Sequence, residues 1–213
     1  MTADLDLALI AALENVSTNS LATVLLKKNI RNVWMRGPRP LGGNIRRAVG
    51  PAFTLRFIPS RADISGRTTR DAVEEMPAGA MIVADARGLT DVGTFGDIVV
   101  TRMAMRGLAG IVTDGAVRDS AGLLATGLPI WSNGLAPSPP IAGHNLAGWQ
   151  EPISCGGVAV FPGDIIVADA EGAIVVPAKL AEEVAKLGAA LEQEDENYLA
   201  GVRAGKTLTE LYK

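Results

Sequence analysis

The order of apolar and polar positions predicts an alternation of strands and helices in the middle of the chain. The predicted elements are strand 80–86, helix 97–106, strand 109–114, helix 117–126 and strand 128–132. Strands that alternate with helices of this length are typical of parallel βαβ units. Residues 156–177 follow another pattern, because three β-rich runs are separated there by PGD and AEG, which predict the turns of a meander.

The flanking segments predict further elements, and the whole order predicts an α/β fold. Apolar spacing predicts helices at 4–16 and 18–28, a strand at 48–57, a helix that starts near 67 and stops at Met76-Pro77, and a charged helix at about 178–200. Two segments, 32–43 and 134–150, are rich in proline and glycine and are predicted to be loops.

Composition narrows the classes of protein to consider. A length of 213 residues suits one domain with a modest extension, and the net charge of −3 without a long basic run gives little support for nucleic-acid binding. The N-terminal stretch carries Asp4 and Asp6 where a secretory signal would be basic, and no segment reaches transmembrane length. The single cysteine excludes an intrachain disulfide. We therefore expect a cytoplasmic protein that contacts no membrane and no nucleic acid.

The side chains most often used in catalysis are nearly absent. With only His144 and Cys155, one subunit cannot build a zinc site from several histidines and cysteines. His144 falls in a predicted loop and is interpreted as a polar loop residue, and Cys155 as a small, semi-buried structural residue. Any chemistry must therefore depend on Asp, Glu, Arg and backbone groups, together with a hard metal ion where one is needed.

Three charged residues are predicted to meet at one edge of the sheet. Asp97 begins the helix after strand 80–86, and Arg118 and Asp119 begin the helix after strand 109–114. In parallel βαβ units, strand ends and the following helix starts gather at the same edge. Neighbours on a helix point about 100° apart, so we expect Arg118 and Asp119 to face different partners instead of forming an ion pair.

The segment before Asp97 is rich in glycine and is a candidate anion site. Glycines let a ligand approach the backbone closely, and a helix start attracts negative charge. The spacing of Gly88, Gly93 and Gly96 matches neither GxGxxG nor a P-loop, so a small carboxylate fits better than a nucleotide. An acid at a helix start also has a purely structural explanation, which is the simpler interpretation of Asp97 taken alone.

The spacing of these residues resembles the signature of a known family. Asp97, twenty intervening residues and then Arg118-Asp119 resemble the D-x20-R-D signature of the RraA-like family, which includes class II 4-hydroxy-4-methyl-2-oxoglutarate aldolases. The resemblance continues through VGPAFTL, GDIVVTRMAMRGLAGIVTDGAVRD and VFPGDIIVADAEGAIVVP and covers most of residues 20–180. It implies a swivelling β/β/α domain with mixed sheets and N-terminal helices over 1–180, and a C-terminal helical extension over 181–213.

The resemblance also implies a site that lies between the subunits of a homotrimer or hexamer. Asp119 would bind Mg²⁺ or Mn²⁺ directly, and Asp97 would bind it through water. Arg118 would contact the 2-oxo oxygen of the substrate, while the backbone amides of Gly96, Asp97 and Ile98 would bind its carboxylate. A glutamate from the tail of a neighbouring subunit would complete the site. Among Glu192, Glu194 and Glu196 we choose Glu194, and a solvated helix face is the alternative for each.

The function implied by the resemblance is that of a metal-dependent lyase. It would cleave 4-hydroxy-2-oxo acids to pyruvate and decarboxylate oxaloacetate through the same enolate. The alternative is a protein-binding regulator that inhibits an RNA-degrading endonuclease. Residues 181–213 favour the aldolase function over the regulator function, because the aldolases of the family carry such an extension and the regulators resemble a shorter chain.

Four further charged residues allow two interpretations each. Arg36 and Arg39 either approach a distal carboxylate of the substrate or lie in a solvated loop. The solvated loop is the simpler interpretation. Asp164 and Asp169 are predicted to form hairpin turns in preference to binding a metal.

Overall fold

The computed structural model describes residues 6–43, 46–61 and 68–212. The helices are α1 (Leu7–Glu14), α2 (Thr18–Lys27), α3 (Thr69–Glu75), α4 (Asp97–Met105), α5 (Ser120–Ala125), α6 (Ala181–Arg203) and α7 (Leu208–Leu211). The strands are β1 (Arg39–Pro40), β2 (Ala48–Pro59), β3 (Met81–Asp85), β4 (Gly110–Thr113), β5 (Ile130–Ser132), β6 (His144–Trp149), β7 (Ile153–Cys155), β8 (Val158–Val160), β9 (Ile165–Asp169) and β10 (Gly172–Val176). Residues 4 and 5 of the first predicted helix and Arg67 of the third lie outside the described residues.

A mixed sheet organises the chain around the twelve-residue strand β2. The strand order is β1-β5-β4-β3-β2-β9-β10, and β6 also pairs with β2. Strands β2 to β5 are parallel, whereas β1, β6 and β9 join them in antiparallel pairs. The predicted α/β class and mixed sheet are confirmed.

The parallel strands are buried on both faces, which explains their continuous apolar sequences. All four residues of β4 and the first four residues of β3 are buried. One face packs against α3, α4 and α5 through side chains such as Val73, Val100 and Leu123. A parallel sheet gains its stability from this burial on both sides, so the loops at its edge are held on a rigid support.

The C-terminal helix α6 packs against the N-terminal helices. Its residues Ala181, Val184 and Ala185 are buried in the cluster that α1, α2, β9 and β10 also form. At Gly188 a Cβ atom would lie 2.5 Å from Val16 Cγ1, so the side chain of Val16 packs directly against the backbone of α6 there. A domain boundary at residue 180 stays a prediction.

One predicted β pattern and two predicted loops were wrong. Residues 156–177 do not form one meander, because β8 pairs with β7 and not with β9. Gly156 and Gly157 both have positive φ, and two such residues in succession favour the tight hairpin turn that joins β7 to β8. Segment 134–150 contains strand β6 instead of being loop throughout, because the long strand β2 offers it an edge for antiparallel pairing. The short strand β1 likewise lies within the predicted loop 32–43.

Both aspartates that were predicted at hairpin turns accept backbone hydrogen bonds there. Asp164 accepts from the amides of Phe161 and Ala178 at 2.9 and 3.3 Å. Asp169 is buried and accepts from the amide and hydroxyl of Thr18 at 2.9 and 2.8 Å and from the amide of Glu171 at 3.0 Å. Asp169 therefore also fixes the start of α2 against the sheet.

Within the described residues, no single helix has the length and apolar content to cross a membrane. Helices α1 and α2 meet that test only as a pair, and they are bent by 105° at the break between them.

Candidate active site

Two segments that follow neighbouring strands pair with each other and bring the charged residues together. After β3, Gly93 forms a parallel bridge with Ala116, and the amide of Thr94 donates to the Ala116 carbonyl at 2.7 Å. The amide of Arg118 then donates to the Phe95 carbonyl at 2.9 Å. This pairing sets the start of α4 beside the start of α5.

Asp97, Arg118 and Asp119 line one cavity of about 770 Å³. Helix α3, the start of α4 and strand β6 also contribute to its wall, through residues that include Thr68, Arg70, Gly96, Ile98, His144 and Asn145. The structure thus brings together the three charged residues that the sequence predicted at one edge. A concave site of this size with a few convergent polar groups is typical of small-molecule binding.

Glycines let the charged side chains lie directly against the neighbouring backbone. A Cβ atom on Gly96 would lie 2.7 Å from Asp119 Oδ2, and one on Gly122 would lie 2.7 Å from Asp97 Cβ. At Gly93, a Cβ atom would lie 2.6 Å from Arg118 Cβ. Real Cβ atoms do not approach so closely, so each charged residue occupies space that a glycine leaves open.

Arg118 and Asp119 form an ion pair, and the expectation that they would not was wrong. Arg118 Nε donates to Asp119 Oδ2 at 3.0 Å. The predicted helix 117–126 starts only at Ser120, and Asp119 precedes it with φ of +57°. The two residues therefore do not follow helical geometry. Both side chains are about one third exposed, and such a pair contributes little stability, so both groups remain accessible to a ligand.

The start of α4 uses the carboxylate of Asp97 to satisfy a backbone donor. Asp97 Oδ1 accepts from the amide of Ile98 at 2.7 Å. The first amides of a helix have no partner within the helix, and Gly96 at the N-cap has no side chain to supply one. Of the three amides expected to bind a substrate carboxylate, that of Ile98 is thus engaged by its own neighbour.

The oxygen donors of the cavity fit a hydrated divalent cation. Among residues 6–43, 46–61 and 68–212, no group of three or more His, Cys, Asp and Glu side chains could hold a metal ion. Mg²⁺ usually binds through one or two carboxylates and keeps several waters, and Mn²⁺ accepts the same oxygen ligands. Asp119 and Asp97 on one cavity wall supply that number of carboxylates.

His144 is buried in the cavity wall, so its interpretation as a polar loop residue was wrong. It is the first residue of β6, its exposed fraction is 3%, and its ring packs on Phe57 with centroids 4.6 Å apart. Neither ring nitrogen has a hydrogen-bond partner in the part of the chain that the structure describes. Burial lowers the pKa of His144 to about 4, so the ring is neutral at pH 7. The pairing of β6 with β2, which local sequence does not reveal, places it inside.

The sequence did not predict Arg70 as a cavity residue, because there it is one charged position on a predicted helix. It is exposed in the first turn of α3 and lines the cavity. Arg36 and Arg39 do not line the cavity. Arg36 donates to Asn32 Oδ1 at 3.2 Å, and Arg39 donates to the Glu171 carbonyl at 3.2 Å. Both arginines are exposed, Arg36 in a loop and Arg39 at the start of the short strand β1.

The tail glutamates do not line the cavity in this chain. Glu194 lies on α6 and accepts a hydrogen bond from Tyr198 Oη at 3.0 Å. Glu192 accepts from the amide of Ser17 at 2.7 Å and so links α6 to α2. Cys155, expected to be semi-buried, is fully buried, and burial raises the pKa of its thiol.

The geometry defines an α/β protein with a mixed sheet and an acidic and basic cluster at the strand ends. A family model described as RraA-like, Aldolase/RraA, matches residues 17–175. The chain belongs to the RraA-like family.

Three similar proteins illustrate the range of names in this family. The chain is 36% identical over 160 residues to a Halalkalibacterium halodurans protein named "Putative 4-hydroxy-4-methyl-2-oxoglutarate aldolase", with 74% of this chain and 72% of that protein covered. The chain is also 29% identical over 174 residues to protein DlpA of Legionella pneumophila. This match covers 80% of the chain but only 28% of the length of DlpA. The crystal structure of Streptomyces coelicolor RraAS2, described as an unusual member of the RNase ES inhibitor RraA protein family, matches with a TM-score of 0.83 and 32% identity, over 92% of this chain and 96% of that chain.

Burial of His144 predicts a pH dependence of stability. The unfolded histidine is protonated below about pH 6.5, whereas the native pKa is about 4. The free energy of unfolding therefore has its full value above pH 6.5, as far as His144 determines it. It falls by about 3 kcal/mol in total as the pH decreases to 4. Urea unfolding at a series of pH values measures this loss. Because the chain has one histidine, His144→Leu should remove it, and identical profiles between pH 6.5 and 5 would contradict the assignment.

Proposed function

We propose that this chain is a divalent-metal-dependent lyase that cleaves 4-hydroxy-2-oxo acids, such as 4-hydroxy-4-methyl-2-oxoglutarate, to pyruvate. Decarboxylation of oxaloacetate would proceed through the same enolate. The observation that carries this proposal is the convergence of Asp97, Arg118 and Asp119 on one cavity. The relative from Halalkalibacterium halodurans, by its name, supports the same reaction class.

Arg118 has the charge and the access that enolate formation requires. When the C3–C4 bond of such a substrate breaks, its electron pair passes to the carbonyl and leaves an enolate oxygen at C2. A guanidinium held in place before the reaction stabilises that developing charge without reorganisation. The hydrogen bond from the Arg118 amide to the Phe95 carbonyl fixes the backbone from which this guanidinium extends.

Asp119 and Asp97 would hold the divalent cation, Asp119 directly and Asp97 through a water. Such an ion, when bound, supplies a Lewis acid that stabilises negative charge on the substrate oxygens. Asp97 would also orient a water in the cavity, and this water can accept the proton of the 4-hydroxyl group. No histidine or lysine is then required as a base.

We also infer that the chain assembles as a homotrimer or hexamer. Among the described residues, the cavity of one chain is lined by two carboxylates, and the side chains of Ile98 and Ile141 beside it are 83% and 73% exposed. Glu194 of a neighbouring copy remains our choice for the residue that would complete the site.

The second candidate function is binding and inhibition of an RNA-degrading endonuclease. It is supported by the description of the Streptomyces coelicolor relative. The two functions differ in one measurable respect, because inhibition of a protein partner needs no turnover of a small substrate.

The first test of the lyase is pyruvate release from 4-hydroxy-4-methyl-2-oxoglutarate and from oxaloacetate. We expect EDTA to abolish both reactions and Mg²⁺ or Mn²⁺ to restore them. Asp119→Asn should abolish metal-dependent turnover in a folded protein, because asparagine tolerates the left-handed conformation at this position but lacks the charge. The exposed Asp91, outside the cavity lining, supplies the matched control Asp91→Asn. Turnover that resists EDTA, or no pyruvate from either substrate, would refute the proposal.

The role of Arg118 predicts a loss of rate common to both reactions. Arg118→Ala should lower kcat for cleavage and decarboxylation on the order of 10²–10³, as removal of one preorganised donor does. Arg118→Lys should restore only part, because an ammonium cannot reproduce the guanidinium fork. Proton exchange at the methyl group of pyruvate, which needs the enolate but no C–C cleavage, should fall in parallel. Arg31→Ala, at an exposed arginine outside the cavity lining, is the control. Normal exchange in Arg118→Ala would make Arg118 a structural residue.

The close contacts at the glycines predict that a methyl group added there displaces a charged side chain of the site. In Gly122→Ala the new Cβ would lie 2.7 Å from Asp97 Cβ, so Asp97 must move. We expect kcat/KM to fall at least about tenfold, the cost of about 1.4 kcal/mol of lost transition-state stabilisation, and the Mg²⁺ concentration for half-maximal activity to rise. Gly43→Ala, where no atom lies within 4 Å of the new Cβ, should behave like the wild type. Unchanged Mg²⁺ dependence in Gly122→Ala would show that the position of Asp97 does not matter.

A further inference from the structure

A buried carboxylate that the proposed reaction does not use lies at the base of the paired loops. Asp114 is 6% exposed and directly follows β4, so it precedes the segment that carries Arg118 and Asp119. It does not line the cavity. An aspartate is seldom fully buried unless its oxygens are satisfied by other groups, so the burial of Asp114 depends on compensating hydrogen bonds.

The carboxylate of Asp114 joins two segments that are distant from each other in sequence. Its Oδ1 accepts from the amide of Ala86 at 2.7 Å, and its Oδ2 accepts from the amide of Gly156 at 3.3 Å. Ala86 begins the loop after β3, and Gly156 lies in the turn of the β7–β8 hairpin. Burial raises the pKa of Asp114, and the two amides oppose this rise. One buried side chain thus holds the loop against the hairpin.

A second carboxylate joins the same loop and the same hairpin from the neighbouring strand. Asp85 is the half-buried last residue of β3. Its Oδ1 accepts from the amide of Arg87 at 3.0 Å, and its Oδ2 accepts from the amide of Ser154 at 3.4 Å. The negative charge of Asp85 also raises the pKa of Asp114. Two like charges at adjacent strand ends are unfavourable, and the shared backbone donors offset this cost.

Hydrogen bonds continue from the loop that Asp114 holds to the cavity wall. The amide of Leu89 donates to the Ala86 carbonyl at 3.1 Å. The amide of Ala116 then donates to the Leu89 carbonyl at 3.3 Å, and the amide of Thr94 donates to the Ala116 carbonyl at 2.7 Å. Thr94 lines the cavity. The buried carboxylate is therefore connected to the backbone pairing on which the candidate site is built.

Close packing beside Asp114 couples the two loops further. A Cβ atom on Gly115 would lie 2.5 Å from Ala86 Cβ and 2.8 Å from Thr94 Oγ1. The segment after β4 thus packs directly on the loop after β3, at the point where Asp114 binds that loop. A displacement of the loop at Asp114 would therefore change how the charged residues of the cavity face each other.

We propose that Asp114 is a positioning residue of the candidate site. It holds the loop after β3 so that the two paired segments keep the register that brings Asp97 beside Arg118 and Asp119. Asp85 assists it from the neighbouring strand end. The expected effect on turnover rests on the proposed lyase function, whereas the expected effect on the pairing of the loops does not.

Hydrogen exchange of single amides tests this role by NMR. In Asp114→Asn, either orientation of the new amide group turns its NH₂ toward a backbone N–H, so the link between loop and hairpin is broken. Exchange at Thr94 and Arg118, whose amides donate across the paired segments, should quicken on the order of tenfold, the cost of one hydrogen bond to a charged group. The amide of Val175, which donates to the Val33 carbonyl at the other end of the sheet, should change clearly less. An equal change at all three amides, or none at Thr94 and Arg118, would overturn the proposal.

Asp169→Asn is the matched control for turnover. Asp169 is also buried and also accepts from two backbone amides, those of Thr18 and Glu171, but it holds the start of α2 and no loop of the site. Both variants should unfold at lower urea concentration. Only Asp114→Asn should lower kcat for oxaloacetate decarboxylation, on the order of tenfold, because displaced groups lose their alignment with the substrate. Equal losses of rate in the two folded variants would make Asp114 a residue of general stability.

Wild-type protein supplies a measurement that needs no variant and so remains valid where Asp114→Asn does not fold. Native-state exchange in low concentrations of urea gives an opening free energy for each amide. If Asp114 holds the loop, the amide of Ala86 should open together with those of Thr94 and Arg118, at the same free energy. Exchange of Ala86 at a clearly lower free energy would contradict the proposed role.

Failure of the lyase function would look different. Wild-type protein that releases no pyruvate, together with selective exchange at Thr94 and Arg118 in Asp114→Asn, would refute the reaction and retain the positioning role. Wild-type protein that turns over oxaloacetate, together with unchanged exchange and rate in Asp114→Asn, would do the reverse.

Discussion

The candidate site depends on one backbone interaction, the pairing of residues 93–95 with residues 116–118. Parallel strands β3 and β4 end side by side, and this pairing continues their alignment into the loops. The starts of two helices are thereby fixed next to each other. Side chains on loops are usually mobile, but those that emerge from a paired and buried segment are not. The rigidity that electrostatic catalysis requires thus comes from the sheet.

The pairing is possible at this distance only because glycines occupy the contact points. Gly93 and Gly96 lie against Arg118 and Asp119, and Gly122 lies against Asp97. The two segments contact each other reciprocally. Gly96 of the first segment accommodates Asp119 of the second, and Gly122 of the second accommodates Asp97 of the first. A methyl group at any of the three positions would push a charged side chain away. The glycines are therefore part of the site although they contribute no functional group.

The sequence predicted which charged residues meet at the edge of the sheet, but not the local backbone geometry of those residues. Strict alternation of apolar strands and helices was enough to bring Asp97 near Arg118 and Asp119, because parallel connections leave few topologies. The left-handed conformation of Asp119 was not predictable, since apolar periodicity runs through it. Residue 119 therefore looked helical, and its ion pair with Arg118 was missed. Strand β6 was missed for another reason, because this short strand, which contains Asn145 and Gly148, is stabilised by its distant partner β2 and not by local propensity. The hairpin turn at Gly156 and Gly157 was also missed, although two successive glycines between apolar runs are a hairpin signal.

Burial of the one histidine also constrains how protons would move in the proposed cleavage. A general base works best when its pKa lies near the working pH, and burial lowers the pKa of His144 to about 4. The same burial that makes the imidazole a weak base keeps it neutral, so that it can both donate and accept a hydrogen bond at pH 7. In the proposed reaction, water beside Asp97 would then serve better than His144 for proton transfer from a 4-hydroxyl group.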